Sequence, residues 1–154
     1  MDAAHAVVVA TVGQADSAID LGAGDGALLE RIARDRSGRW HAVEANAARS
    51  VRGQQRRPRL QFVNARIEDP ALTVPYESDV AILMPGRLLE MEAAAAAAVL
   101  AKLKGWAKRL VVYGYSDALA TGGLAQLFAW SKIPGQLGPI NEGNGVQAAE
   151  VTWL

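Results

Sequence analysis

The sequence predicts an α/β fold in which a single doubly wound, mostly parallel β-sheet is covered by helices. Two observations support this prediction. Short apolar runs rich in β-branched residues alternate with longer segments of helical period, and the first of these runs leads through three glycines directly into a helical segment. The length of 154 residues and a hydrophobic fraction of 51% suit one core, so we expect residues 1–154 to form a single domain.

Five apolar runs have the length and composition of buried parallel strands. They lie at residues 18–21, 40–44, 60–64, 80–84 and 110–113. A sixth candidate at 146–154 follows the Gly-, Pro- and Asn-rich segment 133–145, in which we expect a loop and no strand. The predicted sheet is therefore minimal, with abbreviated C-terminal strands.

Four segments between these strands have helical character, at about 27–35, 47–54, 88–104 and 123–132. The third is predicted most strongly, because it consists largely of Ala, Leu, Met, Glu and Lys, which favour helix formation. Residues 1–16 form a further apolar segment. We predict there a short amphipathic helix that acts as an N-terminal lid over the site.

The composition argues against several classes of function. The sequence has no cysteine, which excludes disulfides, thiolate metal sites and a cysteine nucleophile. His5 and His41 are too few and too far apart to suggest a zinc site, so we expect no metal. No stretch is long and apolar enough to span a membrane, and the N-terminus lacks the basic region of a signal peptide. We therefore expect a cytoplasmic protein without a membrane partner.

Positive charge is concentrated in one part of the chain, although sixteen basic and sixteen acidic residues balance overall. Residues 31–59 contain nine arginines against Asp35 and Glu44. No aromatic interleaving accompanies the arginines, so a base-stacking platform is not indicated. We favour a pair of solvated helices over a face for RNA or an acidic partner, and nucleic acid is not the expected partner.

The segment 17–30 carries the most information about function. A strand runs into Gly22, Gly24 and Gly26 and then directly into a helix. Glycines allow a sharp turn and let a ligand lie against the main chain, while the first N–H groups of the helix point at that ligand. Glu44 ends the next strand, eighteen residues after Gly26, where a carboxylate can accept hydrogen bonds from both hydroxyls of a ribose.

The alternative interpretation is that the glycines only permit a tight turn and that Glu44 is a surface acid. The spacing, however, is that of one βαβ unit, with an acid at the tip of the second strand. This combination favours an adenosine-bearing ligand.

An acid two residues before the first glycine makes the pattern Asp20-Leu-Gly-Ala-Gly-Asp-Gly26 more specific. The pattern resembles the first motif of the class I, Rossmann-like, S-adenosylmethionine-dependent methyltransferases. A nicotinamide dehydrogenase instead carries GxGxxG with an apolar residue in place of the acid. Here a pyrophosphate would also meet the carboxylates of Asp20 and Asp25. The resemblance implies S-adenosylmethionine as cofactor and S-adenosylhomocysteine as product.

The resemblance also implies which residues hold the two ends of the cofactor. Glu44, with Ala45 beside it, would hold the ribose. Asp20 and the backbone of the glycine loop would hold the methionine end, the loop residues being Gly22, Ala23, Gly24 and Gly26.

The segment 64–69 is similar to the adenine-binding loop of the family. On that pattern Glu68 takes the adenine amino group and Ile67 lies against the ring, although the commonest form of the family has Asp where this chain has Arg66. The alternative is that Glu68 and Asp69 form only a polar turn before a proline. At the tip of the fourth strand, Met84 and Pro85 stand where amino-group methylases often have Asp/Asn-Pro-Pro-aromatic, and we expect them to wall the cofactor site.

The catalytic residue need not leave a pattern in the sequence. Methyl transfer is an in-line displacement helped by alignment and by exclusion of water, and it needs a general base only when the acceptor holds its proton tightly. The candidates are Tyr115, Glu90 and His5, with Tyr113 and Arg87 also near the predicted strand tips.

The size of the chain bears on the acceptor. Only about sixteen residues precede the first strand, so we expect a site without a cap, which suits a protein side chain such as lysine or another large acceptor. One alternative is a small-molecule N- or O-methyltransferase whose lid comes from the second subunit of a homodimer. Others are a non-catalytic cofactor-binding module and a nicotinamide-dependent oxidoreductase, which the acids around the glycines disfavour.

Overall fold

One β-sheet runs through the centre of the molecule. The computed structural model describes residues 3–74, 76–116 and 122–154, and within these ranges eight strands belong to this sheet. In chain order they are β1 (Ser17–Leu21), β2 (Arg39–Glu44), β3 (Gln61–Asn64), β4 (Ser78–Leu83), β5 (Ala107–Tyr115), β6 (Gly135–Leu137), β7 (Asn141–Gly143) and β8 (Val146–Trp153).

The order of the strands is that of a doubly wound sheet. The sheet runs β3-β2-β1-β4-β5-β8-β6, and β7 pairs with β8 beside this path. The first five strands are parallel, whereas β8 runs antiparallel to β5 and β6. The strand order reverses between β1 and β4, and ligands bind at such a switch point, outside the carboxyl ends of the strands. The predicted α/β fold with a mostly parallel sheet is confirmed.

The segment 133–145 departs from the sequence prediction. It was expected to be a loop without strands, but it contains β6 and β7. Each of these strands has only three residues, and they consist largely of Gly, Gln, Asn and Glu. Such short polar strands show no alternation of apolar and polar residues, because pairing with β8 rather than burial of side chains defines them. The C-terminal part of the sheet thus contains two more strands than the sequence predicts, and both are short.

Six helices lie within the described ranges. They are α1 (His5–Val12), α2 (Ala27–Ala33), α3 (Ala47–Arg56), α4 (Gly86–Leu89), α5 (Ala93–Trp106) and α6 (Gly123–Ser131). The helix predicted at 88–104 is in fact interrupted, because Glu92 has an extended backbone with φ −62° and ψ 149°. The apolar residues that suggested one continuous helix belong to two elements. Each of the described helices is too short or too polar to cross a lipid bilayer.

The core has two layers, one on each face of the sheet. Alternate residues of each strand, such as Ala18 and Ile19 of β1, enter opposite layers. One layer contains Leu29 of α2. The other contains Leu103 of α5 and Leu124 of α6. Because both faces are covered, β1 is buried along its whole length, as expected for a central parallel strand.

The helix found in the N-terminal segment packs on the sheet. Val8 and Val12 of α1 are buried in the same layer as Val146 and Ala148 of β8. At the end of α1, the guanidinium of Arg109 donates hydrogen bonds to the carbonyl oxygens of residues 12 and 14, at 2.9 and 3.3 Å. The helix is therefore part of the core, and only its first turn reaches the edge of the sheet where the ligand site is predicted.

Candidate cofactor site and active site

The loop between β1 and α2 curves away from the sheet edge. Gly22, Gly24 and Gly26 all have positive φ, at 96°, 61° and 87°, a conformation in which a side chain would be strained. The backbone N–H groups of Gly22 and Ala23 both donate to the carbonyl oxygen of Val43 at 2.9 Å, which fixes the loop against the tip of β2. The glycines therefore hold the main chain in an open curve in front of the sheet.

Glu44, at the tip of β2, joins this loop to the beginning of α3. Its Oε1 accepts a hydrogen bond from the N–H of Gly24 at 2.8 Å, and its Oε2 accepts one from the N–H of Asn46 at 2.7 Å. The side chain of Asn64 on β3 donates to the carbonyl oxygens of Glu44 and Ala45, at 2.9 and 3.1 Å. A carboxylate has about four acceptor positions. The two that remain on Glu44 can receive a pair of hydroxyl groups.

Asp20 lies beneath the loop and is 2% exposed. Burial raises the pKa of its carboxyl group to about 7, and the neighbouring carboxylate of Glu44 adds to the increase, while the guanidinium of Arg87 opposes it. The guanidinium of Arg87 also lies near the loop, because a Cβ placed on Gly22 would be 3.6 Å from its Nε. The negative charge of Asp20 is thus poorly solvated, and a cation placed beside it would be bound favourably.

Two clefts of about 200 Å³ each lie at the sheet edge and share Gly22 as a lining residue, and we call the pair the trough. The first, at the tips of β2 and β3, is lined by Glu44, Ala45, Ile67, Glu68, Arg49 and Arg87 among others. The second, at the tips of β1 and β5, is lined by His5, Asp20, Ala23, Gly24, Met84 and Tyr115 among others. Residues that are far apart in the sequence, from His5 to Tyr115, are brought together here.

Glu68 is held in place at the wall of the first cleft by its neighbour. Arg66 donates a hydrogen bond from Nε to Oε1 of Glu68, and this bond is the main reason why the pKa of Glu68 is lowered. The side chain of Glu68 is 21% exposed, whereas that of Arg66 is 77% exposed. Arg66, which departs from the common form of the adenine-binding loop, is thus a partner of Glu68 rather than a replacement for it.

A third cleft of about 270 Å³ opens beside the trough, between the tips of β4 and β5 and helix α6. Its lining includes Met84, Arg87, Glu90, Tyr113, Tyr115 and Leu127. The rings of Tyr113 and Tyr115 meet edge to face with centroids 6.1 Å apart. Tyr113 is buried, and burial raises the pKa of its hydroxyl, so this side chain remains neutral and can donate a hydrogen bond but not act as a base near neutral pH.

The structure brings the three candidate catalytic residues to this region. Tyr115 borders both the trough and the third cleft, His5 borders the trough, and Glu90 stands at the rim of the third cleft with 72% of its side chain exposed. Nη1 of Arg87 lies 3.9 Å from Oε2 of Glu90. Among the described residues, no group of three or more His, Asp or Glu side chains is arranged to hold a metal ion.

No model of a known protein family matches the sequence, and no curated protein matches it. Solved structures, in contrast, match over almost the whole chain. A TehB-like SAM-dependent methyltransferase from Corynebacterium glutamicum superimposes with a TM-score of 0.70 at 11% identity, covering 100% of this chain and 89% of that chain.

Two further structures give the same result. The N-methyltransferase NodS from Bradyrhizobium japonicum, solved in complex with S-adenosyl-L-homocysteine, has a TM-score of 0.70 at 12% identity, covering 96% of this chain and 82% of that one. A SAM-dependent methyltransferase from Aquifex aeolicus has a TM-score of 0.69 at 13% identity, covering 96% and 88%.

The chain has the fold of the class I S-adenosylmethionine-dependent methyltransferases.

Two of the predicted cofactor residues occupy other positions in this methyltransferase fold. Gly26 lies outside the clefts formed by the described residues, and a Cβ there would be 2.8 Å from the ring of Phe62, so its absence of a side chain serves packing. Pro85 is buried and forms the turn from β4 into α4. It supports the site from behind and lines neither arm of the trough.

Some residues of the methyltransferase-fold site were not predicted. Leu127 reaches the third cleft from α6, and Arg49 reaches the first from α3. Neither carries a motif, and only the packing of these helices against the sheet edge brings them there. Arg87 was considered only as a catalytic candidate, but it borders both the trough and the third cleft. Its location directly after a strand tip was the available signal.

Proposed function

We propose that this protein transfers the methyl group of S-adenosylmethionine to an acceptor that enters the third cleft. The observation that carries the proposal is the arrangement of Glu44. Its carboxylate is held at a strand tip by two backbone N–H groups and still has acceptor positions for two hydroxyls. That is the chemistry required by the ribose of an adenosine cofactor.

The remaining residues of the trough fit the other parts of the same molecule. The buried carboxylate of Asp20 suits the ammonium of the methionine end, with the glycine loop, Gly22 to Gly24, lying alongside. Ile67 offers an apolar surface to the adenine ring, and the carboxylate of Glu68 can accept from its amino group. Met84 walls the junction between the trough and the third cleft.

The chain's own contribution to the reaction is positioning. When bound, S-adenosylmethionine supplies an electrophilic methyl group on a positively charged sulfur. The walls formed by Met84, Tyr113 and Tyr115 align an acceptor with that group and exclude water from the line of attack. Where the acceptor must lose a proton, Glu90 and His5 border the clefts as candidate bases, and the hydroxyl of Tyr115 can hydrogen-bond to the acceptor.

We further propose that the acceptor is a protein side chain, with lysine the best fit. The third cleft combines tyrosine rings and Met84, which suit an alkyl chain and a cation, with Glu90 at the exposed rim. The competing acceptor is a small molecule, for which a cleft of about 270 Å³ lies just below the usual range of ligand pockets. In that case a second subunit would complete the site.

Binding and transfer are tested separately. Calorimetry with S-adenosylmethionine and S-adenosylhomocysteine should detect binding, and absence of binding at millimolar ligand would refute the proposal. Asp20→Ala and Glu44→Ala should each abolish binding while circular dichroism shows an intact fold. Retention of parental affinity in both variants would show that the site is elsewhere.

Transfer of a labelled methyl group to a peptide library and to a pool of small-molecule amines and alcohols then distinguishes the acceptors. Label in lysine-containing peptides supports a protein side chain as the acceptor. Label confined to small molecules would refute that acceptor and support a small-molecule acceptor. Cofactor binding without transfer to any acceptor would point to a non-catalytic module.

A further inference from the structure

A cleft with a volume of about 480 Å³ lies outside the proposed methyl-transfer site. It is formed by the outer side of α2 and the loop between α3 and β3. Four arginines line it, two on each side: Arg31 and Arg34 from the end of α2, and Arg57 and Arg59 from the loop. We call it the arginine cleft.

Two of the four guanidinium groups are held in fixed positions. Arg57 pairs through Nε with Oε2 of Glu30 at 2.9 Å. Arg59 donates from Nη2 to the carbonyl oxygens of Ala33 and Arg36, at 2.8 and 2.5 Å. Each of these arginines has further N–H groups on other nitrogens that these contacts do not use. The cleft is thus partly ordered before any ligand arrives, which reduces the entropy lost on binding.

The charge of the cleft is strongly unbalanced. Glu30 is the one acid among the described residues that line it, and Glu30 pairs with Arg57. Four guanidinium groups around a concave space repel one another and attract anions. Guanidinium groups match phosphate oxygens with two parallel hydrogen bonds, which lysine cannot provide. The four cations together call for a ligand with more than one negative charge.

We propose that the arginine cleft binds phosphate groups, in a ligand the size of a diphosphate or triphosphate. Among the described residues, no Phe, Tyr or Trp lines the cleft and His5 is its one ring-bearing side chain, so the arginines favour recognition of phosphates over a platform of stacked bases. The cleft shares His5 and Ala27 with the trough. The side chain of Arg57 also reaches the glycine loop, because a Cβ built on Gly26 would lie 3.3 Å from Cδ of Arg57. A phosphorylated ligand here would therefore lie next to the glycine loop without occupying it.

The test measures phosphate binding directly and does not depend on methyl transfer. Calorimetry with pyrophosphate and tripolyphosphate, and fluorescence anisotropy with a labelled single-stranded oligonucleotide, distinguish a free phosphorylated ligand from the phosphates of a nucleic acid. Each is run at about 50 mM and about 200 mM salt, because binding through phosphate contacts weakens steeply with salt. Phosphate binding and S-adenosylmethionine binding are measured independently, so failure of one does not decide the other.

The matched variants are Arg34→Glu in the cleft and Arg52→Glu on α3. Both side chains are exposed, and Arg52 lies outside the cleft, so the two variants change the net charge equally. Arg34→Glu should weaken phosphate binding by about tenfold or more, and Arg52→Glu by less than about threefold. Thermal unfolding of both variants should match that of the parent.

Binding of tripolyphosphate that Arg34→Glu alone removes supports a site for a free phosphorylated ligand. Binding of the oligonucleotide alone, with the same dependence on Arg34, supports the phosphate site and identifies a nucleic acid as its source. No binding of any probe at millimolar concentration, or equal weakening by the two variants, would overturn the proposal.

Discussion

At the scale of single residues, the two buried acids of the trough differ in what surrounds them. Glu44 accepts hydrogen bonds from the backbone N–H groups of Gly24 and Asn46. Asp20 lies deeper and faces the charge of Glu44, so its pKa is raised to about 7. Near neutral pH, Asp20 is therefore divided between its neutral and ionised forms until a cation fixes the ionised one.

We predict that the Asp20→Asn variant is more stable than the parent at pH above about 7. The folded parent keeps the proton of Asp20 up to about pH 7, whereas the unfolded chain loses it near the ordinary value of 3.8. Parental stability therefore falls as the pH rises between these values, and the variant has no such loss. Thermal unfolding as a function of pH is the measurement. The advantage of the variant should disappear near pH 4, and an advantage that did not depend on pH would refute this account.

A second consequence of the same carboxyl group is pH-dependent binding of the cofactor. Below about pH 7 the proton on Asp20 must leave before the ammonium of the ligand can pair with the carboxylate. The dissociation constant of S-adenosylhomocysteine should therefore rise on acidification, by up to about tenfold per pH unit. Calorimetry in buffers between about pH 5.5 and 7.5 measures this, a range in which the ligand's amino group stays protonated. Asp20→Asn is the control, and its weak binding should not vary with pH.

At the scale of elements, the glycines have two different roles: some allow the backbone conformation of a loop, and others allow close packing between elements. Gly24 has positive φ and open space around it, which suits a ligand-facing loop. Gly53 lies within α3, and a Cβ there would be 2.2 Å from the ring of Phe62. The same ring lies against Gly26, where a Cβ would be 2.8 Å from it, so the ring is packed between two glycines. Close packing of α3 on β3 depends on this arrangement.

We predict opposite effects for two glycine-to-alanine substitutions within helices. Gly53→Ala should lower the free energy of unfolding by about 1–3 kcal/mol, because the added methyl group overpacks the contact with Phe62. Gly105→Ala in α5 should raise it by about 0.5–1 kcal/mol, because alanine favours the helix and nothing lies within 4 Å of the new Cβ. Urea denaturation of both variants tests the pair. Stabilisation by both would mean that Phe62 has room to move.

Strands and loops that follow from a local sequence pattern could be predicted from the sequence. Strands that exist only because they pair with another strand could not. The parallel strands β1, β2, β4 and β5 are largely buried and rich in apolar residues, and the glycine loop with Asp20 and Glu44 is encoded within one βαβ unit. The strands β6 and β7 have three residues each, and pairing with β8 alone defines them. Likewise, the break between α4 and α5 depends on one extended residue, Glu92, inside an otherwise helix-favouring segment.

At the scale of the whole molecule, packing across elements decides where separate sequence features meet. The charge excess of residues 31–59 was visible in the sequence, but only the packing of α2 beside the α3–β3 loop places four of its arginines around one cleft. The prediction of two solvated helices describes the exposed arginines of α3, such as Arg52. It does not describe the arginine cleft, because the periodicity of a sequence gives no information on the distances between side chains of separate elements.

The layered packing also gives a prediction for α1. Val8 is 1% exposed in the core, whereas Ala10 on the same helix is exposed. Val8→Asp should lower the free energy of unfolding by several kcal/mol, because it buries a charge without a partner. Ala10→Asp should lower it by less than about 1 kcal/mol. Thermal and urea unfolding measure both. If α1 acted only as a lid, the two variants would unfold alike and differ only in cofactor binding.

The position of β8 has a consequence for how the protein is made. This strand follows every other strand of the sheet in the chain, yet it lies between β5 and β6 and also pairs with β7. During synthesis, the edge of β5 therefore has no partner until residues 146–153 have left the ribosome. An unpaired apolar strand edge invites pairing with other chains. The nascent chain is consequently exposed to aggregation between the emergence of β5 and that of β8, and a variant that lacks β8 would leave that edge permanently open.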